Sequence, residues 1–408
     1  MPDSAVPVDH DLLSRRRPGL LDFDDHPLVA IWETTQACDL VCAHCRACAT
    51  PRVDPLELTT AQGKKLLSAF AEMGTPLCVL TGGDPAKRPD LVDLVEHGAR
   101  AGLTMALTPS GTPLMTAELL GALKAAGLAR VAVSVDGSAA ALHDTFRGVE
   151  VSFDQSMRIL RQARAIGLET QINFTLSRRS LAEQGQMAAL TREVGAAMLV
   201  VFVVIPTGRA TSTLTLSDVE IEIALEQLAR IGEGAPFQIK TTGAPQLRRI
   251  LMQQRAKDVP TGLLRDVKDG VVRGPRGVTD GVGFLFVSHK GEVYPSGFLP
   301  ISAGNVKMES VGRLYRDSLS FARCATPTGS AGNAACAPFD ACAAARARAR
   351  SRQAATLGQR TPAVCTARRP PPTLRDRRAV HGIRTDDAAF DKVPKGRVAS
   401  RCMWQIGR

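Results

Sequence analysis

Short aliphatic runs alternate with longer Ala- and Leu-rich stretches along residues 27–205 of this 408-residue chain. The runs predict six strands, at 28–32, 77–80, 104–108, 131–135, 170–175 and 199–205. The stretches between them predict helices, at 60–73, 89–101, 116–126, 153–166 and 180–194. Strands that alternate with helices indicate βαβ units and a parallel sheet. Six such units with right-handed crossovers predict an α/β fold, an incomplete (β/α)6 TIM-like barrel.

The chain is long enough to hold a second, smaller domain beside the barrel. The predicted divisions are an N-terminal extension over 1–26, the barrel over 27–236, a small α+β domain over 237–323 and a tail over 324–408.

The region after the last predicted barrel strand has its own pattern. Residues 213–260 are expected to be mostly helical. Residues 281–288 and 292–294, joined by His289-Lys290-Gly291, predict a β-hairpin. After residue 323 the composition shifts to Ala, Arg, Pro, Thr and Gly without apolar periodicity, which predicts a disordered tail.

The net charge of +11 raises the question of a nucleic-acid partner. Residues 324–408 carry 16 Lys and Arg against 5 Asp and Glu, so the tail alone accounts for the excess. Because residues 1–323 are electrically balanced, the charge gives no reason to expect nucleic acid on the folded body.

Neither a membrane span nor a secretory signal is expected. No run of 18 apolar residues occurs, and the first 26 residues lack an apolar signal core. We therefore expect a cytoplasmic protein without a membrane partner. In that compartment ten cysteines indicate metal binding rather than disulfides.

Three cysteines, Cys38, Cys42 and Cys45, follow the first predicted strand at CxxxCxxC spacing. In β/α barrels the chemistry lies at the carboxyl ends of the strands, which is where this loop falls. A [4Fe–4S] cluster normally takes four cysteine ligands, so three leave one iron open to a ligand that is not protein. The spacing therefore predicts a cluster with an open iron.

A structural zinc site is the alternative for clustered cysteines. Such sites usually pair two CxxC-type elements, and residues 49–323 contain no second pair. Cys48 would close the open position as a fourth ligand, so we expect it not to bind the cluster. Cys78 lies within an apolar strand and is expected in the core.

Polar motifs end the next strands at the same predicted edge. Gly82-Gly83-Asp84-Pro85 follows the second strand, and two glycines permit close backbone approach. Such a turn is either an ordinary βα connection or a binding site for a small polar ligand such as an amino group.

The fourth and fifth strands end in polar side chains as well. Ser134 and Asp136 end the fourth strand, and Arg147 follows soon after. Arg147 is either a bidentate clamp for a carboxylate or a surface residue. Asn173, inside an apolar strand, needs a polar partner if it is buried.

These motifs together resemble the radical S-adenosylmethionine (radical SAM) enzymes over about residues 27–323. The cysteine loop, with His44 before its last cysteine, is similar to that family's cluster loop. Gly82-Gly83-Asp84-Pro85 is similar to its GGEP motif, with Asp in place of Glu. The resemblance implies that S-adenosylmethionine binds the open iron and that the glycine turn holds its amino group. It also implies contacts to the ribose or carboxylate of this cofactor from Ser134, Asp136, Arg147 and Asn173.

The same resemblance implies the reaction. The reduced cluster passes one electron to the sulfonium, and S-adenosylmethionine cleaves to methionine and a 5′-deoxyadenosyl radical that abstracts hydrogen from a substrate. A reducing partner such as ferredoxin or flavodoxin is then needed.

Residues 134–148, 206–209 and 291–298 are similar to the subgroup with a C-terminal SPASM-type domain, which includes haem-pathway enzymes and peptide maturases. SPASM domains often carry a cysteine where Ser296 stands, which argues against a full auxiliary cluster here. We predict a tetrapyrrole side chain as the substrate, with a ribosomally made peptide as the alternative. A tetrapyrrole with propionates needs basic residues at this edge of the sheet, and Arg178, Arg179 and Arg209 are either those residues or solvated surface charges.

The tail departs from that subgroup. Cys324, Cys336 and Cys342 lack the expected CxxC spacing, whereas a reading frame shifted by one base can encode it. We predict a frameshift near Arg323; a natural basic tail is the alternative. With its C-terminus damaged, the chain could instead be a non-enzymatic or inactive iron–sulfur protein.

Overall fold

The computed structural model describes residues 22–258 and 278–325. These residues belong to one compact unit, Met1–Ala345. The predictions for residues 1–21 and for residues 326–408, including the frameshifted tail and its disorder, lie outside the described residues.

Among the described residues, ten strands form a single sheet. They are β1 (Val29–Glu33), β2 (Leu77–Thr81), β3 (Thr104–Leu107), β4 (Leu128–Ser134), β5 (Glu169–Leu176), β6 (Met198–Val203), β7 (Gln238–Thr242), β8 (Phe284–Val287), β9 (Glu292–Tyr294) and β10 (Gly304–Asn305). The strand order is β10-β9-β8-β1-β2-β3-β4-β5-β6-β7. All neighbours from β8 through β1 to β7 are parallel, and only β8–β9 and β9–β10 are antiparallel.

Ten helices accompany the sheet in the described part of the chain. They are α1 (Thr60–Glu72), α2 (Leu91–Arg100), α3 (Ala117–Ala125), α4 (Ala140–Arg147), α5 (Ser152–Ala165), α6 (Gln184–Val194), α7 (Asp218–Glu233), α8 (Gln246–Asp258), α9 (Val311–Asp317) and α10 (Leu319–Ala325). Capping boxes begin two of them, from Thr59 with Gln62 and from Ser217 with Glu220. None of the described helices is long and apolar enough to cross a membrane.

The two faces of the sheet differ. On the helix side, alternate strand residues such as Trp32, Leu80, Val133 and Phe174 are fully buried in one apolar core. The residues between them point to the opposite side, which we call the inner face. At the carboxyl ends of the strands the inner face is polar, because Glu33, Thr81, Ser134, Asn173 and Thr175 lie there.

The structure confirms the predicted α/β architecture and its six βα units. The barrel is not closed, since β7 and β10 lie at opposite ends of the strand order. Several features were not predicted. Among them, β7 lies within a region expected to be helical, and β8 of the predicted hairpin pairs with β1. The division into domains at about residue 237 stays a prediction.

Candidate active site

The cysteine loop leaves the carboxyl end of β1 and returns through a bridge between Ala37 and Thr50. Cys38 is 5% and Cys42 7% exposed, and both pack with Leu40 and Ala49, with Cys45 against them. Burial raises the pKa of the Cys38 and Cys42 thiols above the usual range. The three thiols therefore share one small apolar environment at the strand ends.

Each of these sulfurs has a donor beside it. The backbone N–H of Leu40 donates to Cys38 Sγ at 3.4 Å, and that of Ala49 donates to Cys45 Sγ at 3.4 Å. Arg147 Nη1 lies 3.7 Å from Cys42 Sγ. Such donors stabilise negative charge on sulfur, as a thiolate ligand requires.

The loop is fixed from one side by the end of α4. The backbone N–H of Val41 donates to Arg147 O at 3.1 Å, and that of Ala43 donates to Phe146 O at 3.0 Å. His44 stacks on the Phe146 ring with centroids 4.3 Å apart and planes 10° apart. Burial lowers the pKa of His44 to about 4, so its ring is neutral at pH 7.

The segment after β6 fixes the loop from the other side. Arg209 donates from Nε to Cys42 O at 2.9 Å and from Nη1 to Ala49 O at 3.3 Å. Its backbone N–H donates to Cys45 O at 2.9 Å. Gly208 has φ +62, and a Cβ there would lie 2.3 Å from Cys45 O. Arg209 was predicted as a contact for propionates; the structure instead uses it to bind the cysteine loop.

The glycine turn after β2 also packs against this loop. A Cβ at Gly83 would lie 2.4 Å from Ala37 O, and one at Gly82 would lie 2.4 Å from Thr35 O. The backbone N–H of Gly83 donates to Thr35 O at 2.7 Å. The glycines therefore allow the close approach of two backbones just before Cys38.

Asp84 points into the protein rather than toward a ligand. It is 0% exposed and accepts from Thr112 Oγ1 at 2.7 Å and from the backbone N–H of Ala86 at 3.1 Å. Burial raises the pKa of this carboxyl, although these hydrogen bonds oppose the rise. Asp84 and Pro85 thus begin the short 3₁₀ helix Pro85–Lys87 and hold the shape of the turn.

Ser110 was missed by the sequence analysis. Its hydroxyl donates to Gly83 O at 2.8 Å and lies 3.3 Å from Cys38 Sγ. It therefore joins the glycine turn to the first cysteine. The only sequence signal was its place in Pro109-Ser110-Gly111, just after β3 and hence at the same edge of the sheet.

Asp136 and Arg147 were both predicted to contact a cofactor, and the structure pairs them with each other. Arg147 Nη2 lies 2.6 Å from Asp136 Oδ2, with the side chains 12% and 0% exposed. Burial alone would raise the pKa of Asp136, but the charge of Arg147, together with His44, His143 and the backbone N–H of Thr175, outweighs it and lowers the pKa. The interpretation of Arg147 as a surface residue is wrong.

Ser134 and Asn173 are register partners on β4 and β5 and share the inner face. Asn173 is 8% exposed, and its Oδ1 accepts from Gln171 Nε2 at 2.7 Å. Thr175, two residues further on, donates its backbone N–H to Asp136 Oδ1 at 2.8 Å. These polar groups extend the site from the cysteine loop onto the inner face.

The residues present fit an iron–sulfur cluster with three protein ligands. The three sulfurs lie in one apolar pocket, and each has an N–H donor. No three His, Cys, Asp or Glu side chains among the described residues converge on a single-ion site of the kind that zinc occupies. A cluster does not need that convergence, because each thiolate binds a different iron.

Comparison with known proteins identifies the family of this chain. The Radical SAM superfamily matches residues 32–179. The AdoMet-dependent haem synthase of Methanosarcina barkeri is 35% identical over 332 residues, covering 81% of this chain and 94% of that protein. The chain belongs to the radical SAM superfamily and is an enzyme of that class. Its cofactors are a [4Fe–4S] cluster and S-adenosylmethionine.

A further relative is a maturase, and a solved structure has a similar fold. Mycofactocin maturase MftC of Mycobacterium tuberculosis is 32% identical over 188 residues, covering 46% of this chain and 47% of that protein. The crystal structure of Streptococcus suis SuiB bound to S-adenosylmethionine has a TM-score of 0.57 at 14% identity, covering 73% of this chain and 67% of that chain. The likeness to SuiB shows a shared fold.

Proposed function

We propose that this enzyme modifies carboxylate-bearing side chains of a tetrapyrrole by radical chemistry. The observation that carries the proposal is the 35% identity to an AdoMet-dependent haem synthase across 94% of that protein. A match of that extent includes most of the barrel and the region after it.

Three cysteines, Cys38, Cys42 and Cys45, hold the cluster in this proposal, and Cys48 does not. The cofactors, when bound, supply reductive cleavage of S-adenosylmethionine and a radical that takes hydrogen from the substrate. The protein supplies orientation and a site that excludes water. Reduction comes from a ferredoxin or flavodoxin, and the enzyme works in the cytoplasm.

The cofactor's binding surface begins at the glycine turn. Gly82 and Gly83 bring the backbone to within contact of the cysteine loop, and Asp84 holds the turn in place. Ser134 and Asn173 offer a hydroxyl and an amide on the inner face for the ribose or carboxylate of S-adenosylmethionine.

Arg147 and Asp136 act differently from the sequence prediction in this proposal. The two side chains pair at 2.6 Å and are only 12% and 0% exposed, so the pair is largely buried and is not placed to meet a charged cofactor group. Arg147 instead places positive charge beside Cys42 Sγ, and Asp136 holds Arg147 there. They position and stabilise the cysteine loop.

Modification of a ribosomally made peptide is the second candidate. It is favoured by the match to mycofactocin maturase MftC, which is 32% identical over 188 residues. That match covers less than half of this chain, whereas the haem synthase match covers 81%. The tetrapyrrole proposal therefore has the broader support.

The test is to supply the reconstituted enzyme with dithionite, S-adenosylmethionine and an iron tetrapyrrole that carries propionate side chains. We expect the tetrapyrrole to change mass, and to raise the yield of 5′-deoxyadenosine above that of a reaction without it. Mass spectrometry and chromatography measure both. A tetrapyrrole recovered unchanged, with 5′-deoxyadenosine formed equally in its absence, would contradict the proposed substrate.

A further inference from the structure

Arg46 directly follows Cys45, the last cysteine of the CxxxCxxC motif, and its side chain turns onto the inner face. Its guanidinium carbon lies 4.5 Å from the centre of the Phe286 ring on β8. Its Nη1 lies 3.4 Å from Gly297 O, and its Nη2 forms a short ion pair with Glu33 Oε2. Arg46 therefore joins the cysteine loop to the ends of β1 and β8.

Glu33 holds this arginine in place from below. Its side chain is 4% exposed, and its Oε1 lies 2.7 Å from His289 Nδ1. Burial alone would raise the pKa of Glu33, but Arg46 and His289 outweigh it and lower the pKa. Because the carboxylate is ionised and fixed, Arg46 has a single preferred orientation over Phe286.

Arg46 also remains accessible, unlike the carboxylate beneath it. Its side chain is 25% exposed. A guanidinium carries five N–H donors in a planar fork, and the contacts with Glu33 and Gly297 use only Nη1 and Nη2. The N–H of Nε and the second N–H of each terminal nitrogen remain as oriented donors for a carboxylate.

The other candidate arginines are less suited to this role. Arg209 is occupied by carbonyls of the cysteine loop. Arg178 is 56% exposed on the surface, and Arg179 is exposed there as well. Arg130 pairs with Glu169 near the start of its strand, away from the carboxyl ends.

We infer that Arg46, held by Glu33 and seated on Phe286, binds a carboxylate of the substrate next to the cluster loop. The inference rests on the proposed function, since it names the residue that receives a propionate of the tetrapyrrole. Arg46 is one residue from Cys45, so a carboxylate held there lies beside the chemistry. The Phe286 ring adds an apolar surface against which a flat macrocycle can pack.

The experiment measures binding of haemin and of haemin dimethyl ester by Soret absorbance to the reconstituted enzyme, in wild type, Arg46→Gln, Arg46→Lys and the control Arg100→Gln, whose side chain is 77% exposed. We expect wild type and Arg100→Gln to bind haemin about tenfold more tightly than the ester. Arg46→Gln should lose that preference, and Arg46→Lys should keep part of it. Circular dichroism and iron content check that each variant is folded and loaded.

Two results would overturn the inference alone: equal binding of haemin and its ester by wild type, or an undiminished preference in Arg46→Gln. Binding of neither compound to any variant would overturn the tetrapyrrole proposal together with the inference. The comparison of the two ligands on wild type does not depend on whether Arg46→Gln folds.

Discussion

Arg209 Nε donates to the backbone carbonyl of Cys42 at 2.9 Å, joining the segment after β6 to a cysteine 167 residues earlier in the chain. Its Nη1 reaches Ala49 O at the far end of the same loop. The loop that carries the three cysteines is thus held by a side chain from the opposite part of the barrel. The geometry of the cysteine loop therefore depends on how the sheet places β6 relative to β1.

Replacing Arg209 should loosen this loop. Arg209→Lys keeps the charge but cannot reach both carbonyls with a planar fork, so we expect a cluster that is lost faster to a chelator. Absorbance decay in excess EDTA under anaerobic conditions measures the rate. Arg179→Lys, at an exposed position, is the control. Equal decay in wild type and Arg209→Lys would show that the two hydrogen bonds do not hold the loop.

The glycine turn should not accept a side chain. Gly83→Ala places a Cβ 2.4 Å from Ala37 O, so we expect the free energy of unfolding to fall by about 1–3 kcal/mol. Gly121→Ala is the matched control, because nothing lies within 4 Å of its Cβ and it is within α3. It should gain about 0.5–1 kcal/mol. Urea unfolding followed by circular dichroism compares them, and a neutral Gly83→Ala would contradict the close approach.

Removing Asp136 leaves Arg147 buried without its counter-charge. We expect Asp136→Asn to lower the free energy of unfolding by about 3–5 kcal/mol. Glu222→Gln removes one partner of the exposed pair with Arg249 and should cost no more than about 1 kcal/mol. Urea unfolding measures both. Similar small losses for the two variants would mean that the Asp136 pair is not structural.

Glu33 should make the free energy of unfolding depend on pH. Its pKa in the folded protein is lowered from 4.5, so the unfolded chain binds the proton more readily. The stabilisation is present above the unfolded pKa and is lost as the pH falls below it. Between pH 6 and pH 3 we expect wild type to lose more stability than Glu33→Gln. Parallel losses in urea unfolding across this range would refute the lowered pKa.

The sequence predicted the central parallel strands, because a strand covered on both faces is continuously apolar, as Met198–Val203 is. It missed β7, Gln238–Thr242, whose residues are half-buried or exposed at one edge of the sheet. The hairpin of β8 and β9 was predicted from its turn, His289-Lys290-Gly291. The pairing of β8 with β1 joins residues 255 apart, as at Val29 and Phe284, and no local pattern encodes that contact.

The residues of the candidate site were also predicted only in part. Spacing alone singled out Cys38, Cys42 and Cys45, and the structure brings them into one apolar pocket. The pairing of Asp136 with Arg147 was not foreseen, because α4 lies between them and turns the arginine back toward the loop. Arg46 contacts Glu33 on β1 and Phe286 on β8, which are far apart in the sequence, so only the folded sheet reveals these contacts.

The central claim is that three cysteines bind the cluster and leave one iron open for S-adenosylmethionine. Cys42→Ala and Cys48→Ala, reconstituted anaerobically beside wild type, test it through iron content and 5′-deoxyadenosine formed on reduction. We expect about four irons per chain and cleavage in wild type and in Cys48→Ala, and neither in Cys42→Ala. Cleavage that survives in Cys42→Ala, or a cluster that is lost in Cys48→Ala, would contradict it.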